Sequence, residues 1–178
     1  MHKCSDALVI FVEDKGEKSN SDFIKNVKEM LGGETITSCY QCGTCASSCT
    51  VAKTTERFNP RHLLRIALLG EGDEILSGDA IWLCSSCYNC QERCPQKVEI
   101  AEVIFALRNM AIRAGKIPQL YIDFANGLMN EGRVVPVSKF VEKKRPDYGL
   151  PPLKPAGVEP LRKILAATGF DKLISKKG

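Results

Sequence analysis

The sequence predicts an all-α fold, on three observations. The segment after Asn59 has the apolar period and the end signals of a helix, residues 100–114 carry the strongest amphipathic helical pattern in the chain, and residues 120–129 suggest one more helix. An apolar run at 7–12 is too short to decide between a strand and a packed arm. The fold class therefore rests on helices that flank two groups of cysteines.

The first predicted helix lies near the N-terminus. Ser21 or Asp22 can cap it, because a short polar side chain accepts hydrogen bonds from the free amides of a first turn. Gly32 and Gly33 are expected to end it. Its narrow apolar stripe consists of Phe23, Val27, Met30 and Leu31. We expect this stripe to pack on the rest of the chain or on a partner.

A capped helix is predicted between the two groups of cysteines. Asn59 can satisfy first-turn amides, and Pro60 at the first helical position gives up no bonded donor. The helix should run to Gly70, which is a natural C-terminal stop. Asp73 could cap a second, shorter helix that leads towards the next cysteines.

The best predicted helix follows the second group of cysteines and ends at Gly115. Acidic residues lie near its start and basic residues near its end, which suits the helix dipole. Its apolar side chains recur at three- and four-residue steps: Ile100, Val103, Ile104, Leu107, Met110, Ala111 and Ala114. We expect this stripe to form core and to keep water away from the cysteines.

The C-terminal part is predicted to be a linker that ends in a short helix. Residues 131–157 contain five prolines and a charge run at 142–145, and proline blocks both helices and sheet ladders, so an extended segment is expected. An amphipathic element follows from Pro160 to Thr168. A helix of this length is marginal alone, so we expect it to dock on a partner.

Eight of the nine cysteines form two runs of identical spacing. Both runs read C-x2-C-x2-C-x3-C, and each cysteine of the second run lies 45 residues after its counterpart in the first. The runs are Cys39, Cys42, Cys45 and Cys49, then Cys84, Cys87, Cys90 and Cys94. This spacing, with Pro95 after the last cysteine, is typical of bacterial ferredoxins that bind 4Fe-4S clusters. Those small ferredoxins are built from short strands, whereas the segment between the runs here is helical.

The spacing also predicts which thiols share a cluster. A tight loop with a cysteine at every third residue can reach three corners of an iron cubane, and in two-cluster ferredoxins the fourth cysteine binds the other cluster. Two 4Fe-4S clusters are therefore predicted, one on Cys39, Cys42, Cys45 and Cys94, the other on Cys84, Cys87, Cys90 and Cys49. Structural zinc fits less well, because it prefers two C-x2-C pairs set a dozen or more residues apart.

Composition and charge argue against several other classes. The N-terminus does not resemble a secretory signal, and no stretch approaches the roughly eighteen apolar residues that span a bilayer. We therefore expect a cytoplasmic protein with no membrane span, where thiols stay reduced. Two cubanes at about −2 each would bring the formal charge of +4 close to zero. With no basic stripe either, no nucleic-acid partner is expected.

No catalytic residue is predicted. The chain has no glycine-rich phosphate-binding motif, and His62 has no acid nearby in sequence with which to transfer protons. Cys4 lacks a C-x-x-C neighbour and is interpreted as an incidental thiol. Because all eight patterned thiols are assigned to iron, the chain is interpreted as a non-catalytic electron-transfer subunit of an oxidoreductase complex.

Three stretches make a family resemblance specific: CYQCGTCASSC, NPRHLLRIALLG and IWLCSSCYNCQERCPQ. Together with the long helix that follows, they resemble the C subunit of heterodisulfide reductase from methanogenic archaea and its relatives in other anaerobes. More distantly they resemble the helical two-cluster domain of succinate dehydrogenase iron–sulfur subunits. The resemblance covers roughly residues 36–130. Thr50 stands where a proline often follows the fourth cysteine, which leaves ligation untouched.

The resemblance implies an α-helical ferredoxin fold with two 4Fe-4S clusters on the eight cysteines. It also implies a soluble complex in which this subunit relays electrons from a flavin-containing A subunit to a B subunit that reduces the mixed disulfide of coenzyme M and coenzyme B. A hydrogenase or formate dehydrogenase would feed the A subunit. The alternative is the iron–sulfur relay subunit of another anaerobic oxidoreductase, of the succinate/fumarate or quinone-linked type.

The predicted domain organisation has three parts. Residues 1–35 are expected to form an N-terminal arm with one helix, residues 36–130 the α-helical ferredoxin domain with both clusters, and residues 131–178 a proline-rich extension that ends in the short docking helix.

Overall fold

The computed structural model describes residues 20–153 and 157–175, and the interpretations of Cys4 and of the run at 7–12 concern residues outside these ranges. The described residues form helices and no strand, which confirms the all-α prediction. The α-helices are α1 (Asn20–Glu29), α2 (Thr44–Ser48), α3 (Thr50–Thr54), α4 (Pro60–Leu69), α5 (Gly72–Ser77), α6 (Asn89–Glu92), α7 (Ile100–Arg113), α8 (Gln119–Glu131), α9 (Lys139–Lys144), α10 (Val158–Ala167) and α11 (Phe170–Ser175). In the same ranges, 3-10 helices span Glu34–Ser38, Ala80–Leu83 and Pro146–Tyr148.

The hydrophobic core is built from α1, α4, α5 and α7. α1 contacts both α4 and α7, and α5 contacts the same two helices. α1 contributes Phe23 and Val27, so the N-terminal helix packs on the cysteine region of its own chain. α7 lies at the centre, because the apolar stripe predicted for it is buried along most of its length. Burying a large apolar side chain stabilises a fold by about 1.5–3 kcal/mol relative to exposure, so this stripe holds the surrounding short helices in place.

The ends of α4 are those that the sequence predicts. The Oδ1 atom of Asn59 accepts a hydrogen bond from the backbone N–H of His62 at 3.2 Å, and Pro60 occupies the first turn. Gly70 ends the helix in the left-handed conformation, at φ 79°. The following helix, α5, differs in detail, since Glu71 is its N-cap residue and Asp73 lies inside the first turn without capping it.

The expectation of an extended linker after α8 is wrong for part of that segment. Residues 139–144 form α9, whose first turn is capped by the Ser138 hydroxyl, which accepts from the Val141 N–H at 3.3 Å. Pro136 and Pro146 lie on either side of α9, so neither proline removes a bond from inside the helix. The number of prolines in the segment did not reveal that residues 137–145 contain none, which leaves room for the six residues of α9.

The short C-terminal helix exists, and it packs within the chain. α10 contacts α8, and the Nε atom of Arg162 donates to the backbone carbonyl of Met129 at 3.0 Å. Its apolar stripe is incompletely covered, since Ile164 remains 60% exposed. Within the described ranges, no helix combines the length and the apolar character that crossing a bilayer requires.

Candidate iron–sulfur site

The two cysteine runs fold into loops that repeat each other at the 45-residue interval. In each loop the second residue after the first cysteine has a positive φ, 65° at Gln41 and 56° at Ser86. The residue after the second cysteine does as well, at Gly43 and Tyr88. A positive φ is unfavourable for residues other than glycine, so Gln41, Ser86 and Tyr88 are held in strained conformations by their loops. Such strain is typical of backbone wrapped tightly around a bound group.

Each loop is followed by a short helix, and the two short helices contact each other. α2 follows the first loop and α6 the second. The Asn89 side chain links them, because its Nδ2 atom donates to the carbonyl of Ser48 at 2.7 Å. Ahead of the loops, Ile36 and Ile81, which are also 45 residues apart, are both fully buried. The loops are thereby anchored at both ends and brought side by side.

Two cavities of similar size open between the loops and the helices behind them. We call them the Cys39 cavity and the Cys84 cavity. Counting their open mouths, they enclose about 310 Å³ and 340 Å³ respectively. Four cysteines line the Cys39 cavity: Cys39, Cys42, Cys45 and Cys94. Four others line the Cys84 cavity: Cys49, Cys84, Cys87 and Cys90. Each cavity thus receives three cysteines from one run and the fourth from the other.

Within each run the second and third cysteines meet opposite environments. Cys45 and Cys90 are buried, and burial raises the pKa of each thiol to about 11. Cys42 and Cys87 are exposed, and hydrogen bonds lower their pKa values, from the Thr44 side chain at Cys42 and from the Asn89 backbone at Cys87. The Tyr40 hydroxyl also bonds to Cys42, which raises the pKa of that tyrosine.

Several donors point at cysteine sulfurs. Backbone N–H groups donate to Cys49 from Ala52 (3.5 Å), to Cys84 from Ser86 (3.5 Å) and to Cys94 from Val98 (3.3 Å). The Nε2 atom of Gln41 lies 3.4 Å from the sulfur of Cys39. Donors directed at sulfur in this way are typical of the protein surroundings of iron–sulfur clusters.

One arginine lies near each cavity. Arg61 lines the Cys39 cavity, close to the loop at Gly43. Arg108 of α7 is half-buried and binds the second loop, donating from Nε to the carbonyl of Ile81 at 2.8 Å and from Nη2 to that of Cys84 at 2.7 Å. Its guanidinium also lies over the rings of Trp82 and Phe105. Arg108 therefore fixes the first cysteine of the second run to the central helix.

The donor set fits 4Fe-4S clusters. Each cavity offers four thiols and is lined by no carboxylate, and amide hydrogens reach sulfurs on both sides. Thiolates are the ligands of such clusters, and backbone donors to sulfur accompany them. Within residues 20–153 and 157–175 no three His, Cys, Asp or Glu side chains converge on a point that one metal ion could occupy.

Some of the important residues could not be predicted from the sequence. Gln41 lies between two cysteines, but its side-chain direction depends on the strained φ of the loop. The sequence assigns Arg108 no role beyond suiting the helix dipole, and its contacts with a loop 24 residues earlier are tertiary. His62, by contrast, is exposed on the first turn of α4, and only its backbone N–H is used in capping.

The all-helical fold and the two groups of thiols define a helical iron–sulfur protein. A family model described as "4Fe-4S dicluster domain" matches residues 35–98. The chain belongs to the family of C subunits of CoB–CoM heterodisulfide reductase, as its relatives demonstrate at 31–37% identity over most of its length.

Three relatives illustrate that membership. The C subunit of the H2:CoB-CoM heterodisulfide,ferredoxin reductase of Methanothermobacter thermautotrophicus is 37% identical over 161 residues, covering 87% of this chain and 86% of its own. The iron-sulfur C 2 subunit of the CoB–CoM heterodisulfide reductase of Methanocaldococcus jannaschii is 36% identical, with coverage of 90% and 92%. The C2 subunit of the H2/formate:CoB-CoM heterodisulfide,ferredoxin reductase of Methanococcus maripaludis is 34% identical, with coverage of 90% and 93%.

Proposed function

We propose that this chain is the electron-relay subunit of a heterodisulfide reductase complex and carries two 4Fe-4S clusters. It takes electrons from a flavin-containing A subunit and passes them to a B subunit, where the mixed disulfide of coenzyme M and coenzyme B is reduced. The observation that carries the proposal is the pair of four-thiol cavities in a chain of this family. When bound, the clusters supply one-electron storage, and the protein supplies ligands, burial and hydrogen bonds.

The proposed ligands follow the crossed arrangement. One cluster is held by Cys39, Cys42, Cys45 and Cys94, and the other by Cys84, Cys87, Cys90 and Cys49. The lining of the two cavities supports this assignment, because the fourth thiol of each run lies with the other run's first three. The contact between α2 and α6 supports it as well, since those helices carry the chain from the loops to the crossing cysteines.

The subunit is proposed to be non-catalytic. Its eight patterned thiols are all used as ligands, and among the described residues the core contains no buried polar or charged side chain that could act on a substrate. The reducing power would therefore leave the chain only as electrons. This requires partner subunits at both ends of the relay.

Partner contacts are proposed for the segment after α8. Of the fourteen exposed large hydrophobic side chains among the described residues, seven lie between 134 and 150. Such a concentration is unusual for a free surface and typical of an interface. We assign it to residues 131–178 as a proline-rich extension, next to a two-cluster domain at 36–130 and an N-terminal arm at 1–35.

The electron source is proposed from the names of relatives. The name of the Methanothermobacter thermautotrophicus relative contains H2 and ferredoxin. The name of the Methanococcus maripaludis relative contains H2/formate and ferredoxin. A hydrogenase or formate dehydrogenase that reduces the A subunit is consistent with them.

Anaerobic purification of the tagged full chain tests the proposal directly. We expect about eight irons and eight sulfides per chain, and co-purification of a flavoprotein and a disulfide-reducing subunit. Zinc in place of iron would contradict the cluster assignment. Co-purification with quinone-linked or fumarate-reducing subunits would instead favour the alternative of another anaerobic oxidoreductase.

A further inference from the structure

We infer that the two cysteine sets hold their clusters at unequal reduction potentials, with the higher potential in the Cys39 cavity, and that Gln41 is the main positioning residue for the difference. The inference rests on the proposed function, since it requires a cluster in each cavity. Its basis is the internal repeat, which allows each side chain of one loop to be compared with its counterpart in the other. Positions 45 residues apart share a backbone conformation and differ in side chain.

The first difference is at Gln41 and Ser86. Both residues have positive φ and follow the first cysteine of their run by two positions. Gln41 donates its side-chain amide to the sulfur of Cys39 at 3.4 Å, whereas Ser86 offers the sulfur of Cys84 only its backbone N–H, at 3.5 Å. A donor at sulfur stabilises the more negative, reduced state and so raises the potential.

The second difference is at Thr44 and Asn89. The Thr44 hydroxyl lies 3.3 Å from the sulfur of Cys42 and donates to it when that sulfur is a thiolate ligand. Asn89 is its counterpart, but the Asn89 side chain donates to the carbonyl of Ser48 instead. Tyr40 and Ser85 are a matched pair, because each bonds through its side chain to the second cysteine of its own run. The first loop therefore has two more side-chain donors than the second. Backbone N–H groups reduce this excess to one, because Val98 donates to Cys94 in the Cys39 set, whereas Ala52 and Ser86 donate to Cys49 and Cys84 in the Cys84 set.

Burial and charge act in the same direction. The crossing cysteine of the Cys39 cavity, Cys94, is half-buried, whereas that of the Cys84 cavity, Cys49, is buried. Added negative charge is less favourable in the drier site. The Glu102 carboxylate accepts a hydrogen bond at 2.9 Å from Tyr88, which lines the Cys84 cavity, and a nearby anion lowers the potential there.

The arginines do not reverse this order. Arg61 lines the Cys39 cavity, whereas Arg108 binds carbonyls of the second loop without lining the Cys84 cavity, so neither arginine favours the Cys84 set over the Cys39 set. With the higher potential in the Cys39 cavity, one electron at a time passes from the Cys84 set, which is oxidised by one electron, to the Cys39 set, which is reduced by one. The Cys84 cavity then faces the donor subunit and the Cys39 cavity the acceptor.

The repeat supplies the test variants. Gln41→Ser gives the first loop the residue that the second loop carries at the matching position, where φ is also positive, and Ser86→Gln makes the reciprocal change. Full-length chain, purified anaerobically with its clusters, is titrated with reductant and followed by electron paramagnetic resonance. We expect two one-electron steps in the unchanged chain. Gln41→Ser should lower the higher-potential step and leave the other in place, and Ser86→Gln should raise the lower-potential step alone.

The remaining outcomes overturn the inference. If Gln41→Ser lowers the lower-potential step, the order is reversed. If neither variant moves either step, or if both steps move equally, these residues do not set the difference. If Gln41→Ser loses iron, the inference is tested by Ser86→Gln alone, which must raise the lower-potential step. A single redox step in an unchanged chain that contains about eight irons would mean equal potentials and would also overturn the inference. An iron content well below about eight in the unchanged chain would instead refute the proposed function.

Discussion

At the scale of the residue, each loop contains one thiol with a lowered pKa and one with a raised pKa. Cys42 and Cys87 lie at the exposed rim with lowered pKa values, and Cys45 and Cys90 lie in the core with pKa values raised to about 11. Each of these thiols must lose its proton before it can bind a cluster. The rim thiols are therefore suited to capture iron first, and the buried ones to close the site.

This division predicts an order of alkylation in the metal-free chain. At pH 8 a thiol of pKa about 11 is ionised in about one part in a thousand, against about a tenth for an ordinary thiol of pKa near 9. Limiting iodoacetamide should therefore label Cys42 and Cys87 first and Cys45 and Cys90 last, as read by peptide mass spectrometry. In denaturant the order should vanish. Uniform labelling without denaturant would mean that the thiols do not meet these environments before the metal binds.

Crossed ligation predicts that replacing the fourth cysteine of one run releases the cluster bound by the first three cysteines of the other run. Cys94→Ser should release the cluster from the Cys39 cavity, so iron falls from about eight to about four per chain. Cys39, Cys42 and Cys45 should then become open to alkylation, while Cys84, Cys87 and Cys90 stay protected. Cys49→Ser is the reciprocal control, with the opposite pattern. Deprotection of the mutated cysteine's own run would establish uncrossed ligation.

The candidate ligands were predictable because their spacing is local and the cluster dictates it. Eight cysteines at one repeated interval require no knowledge of the fold. Gln41 and Arg108 were not predictable as contacts, because each depends on where a strained loop or a distant helix lies in space. Sequence reasoning thus found the candidate ligands and missed the groups that adjust them.

At the scale of the element, capping signals were reliable and composition was not. α4 begins after Asn59 and ends before Gly70 as predicted, because a helix cap involves only neighbouring residues. The linker prediction failed at α9, because an average over many prolines ignores where they fall. α4 is part of the core, whereas α9 buries no side chain.

The two capped helices offer a matched pair of stability tests. Asn59→Ala removes the side-chain acceptor at the start of α4 and should cost about 1 kcal/mol in the free energy of unfolding. Ser138→Ala removes the same kind of cap from α9, which contributes no buried side chain, so global stability should be unchanged. Anaerobic denaturant titration of the cluster-loaded chain measures both. Equal losses would mean that α9 is part of the cooperative core.

Arg108 ties the central helix to the second loop, and its removal should affect one cavity. Arg108→Met loses the bonds to the carbonyls of Ile81 and Cys84, so a chelator should extract iron faster from the Cys84 cavity than from the Cys39 cavity. The rate of iron extraction from Arg108→Lys should be intermediate, because lysine keeps the positive charge but cannot donate two hydrogen bonds in the fixed geometry of a guanidinium. Arg113→Met, on the exposed end of the same helix, is the control and should leave both rates unchanged. Equal acceleration at both cavities would contradict a local role.

At the scale of the whole molecule, the chain consists of a repeated core and an appended surface. Both cavities are lined only by residues from Cys39 to Ile104, while the exposed hydrophobic side chains concentrate after α8. Under the proposed function, holding the clusters and binding a partner would therefore fall to different parts of the sequence. Altering one should leave the other intact.

Deletion of residues 158–178 tests that separation. α10 packs on α8 and lines neither cavity, so iron should stay at about eight per chain. Assembly with partner subunits should weaken, because the deletion removes the exposed Ile164 and uncovers the end of α8 that Arg162 binds. Pull-down yield and iron content, measured on the same samples, separate the two effects. Ile164→Asp, which keeps α10, should weaken pull-down, and Ile164→Val should not. Full assembly of the deleted chain would confine any partner contact to the segment before α10, whereas loss of iron would show that α10 supports the core through α8.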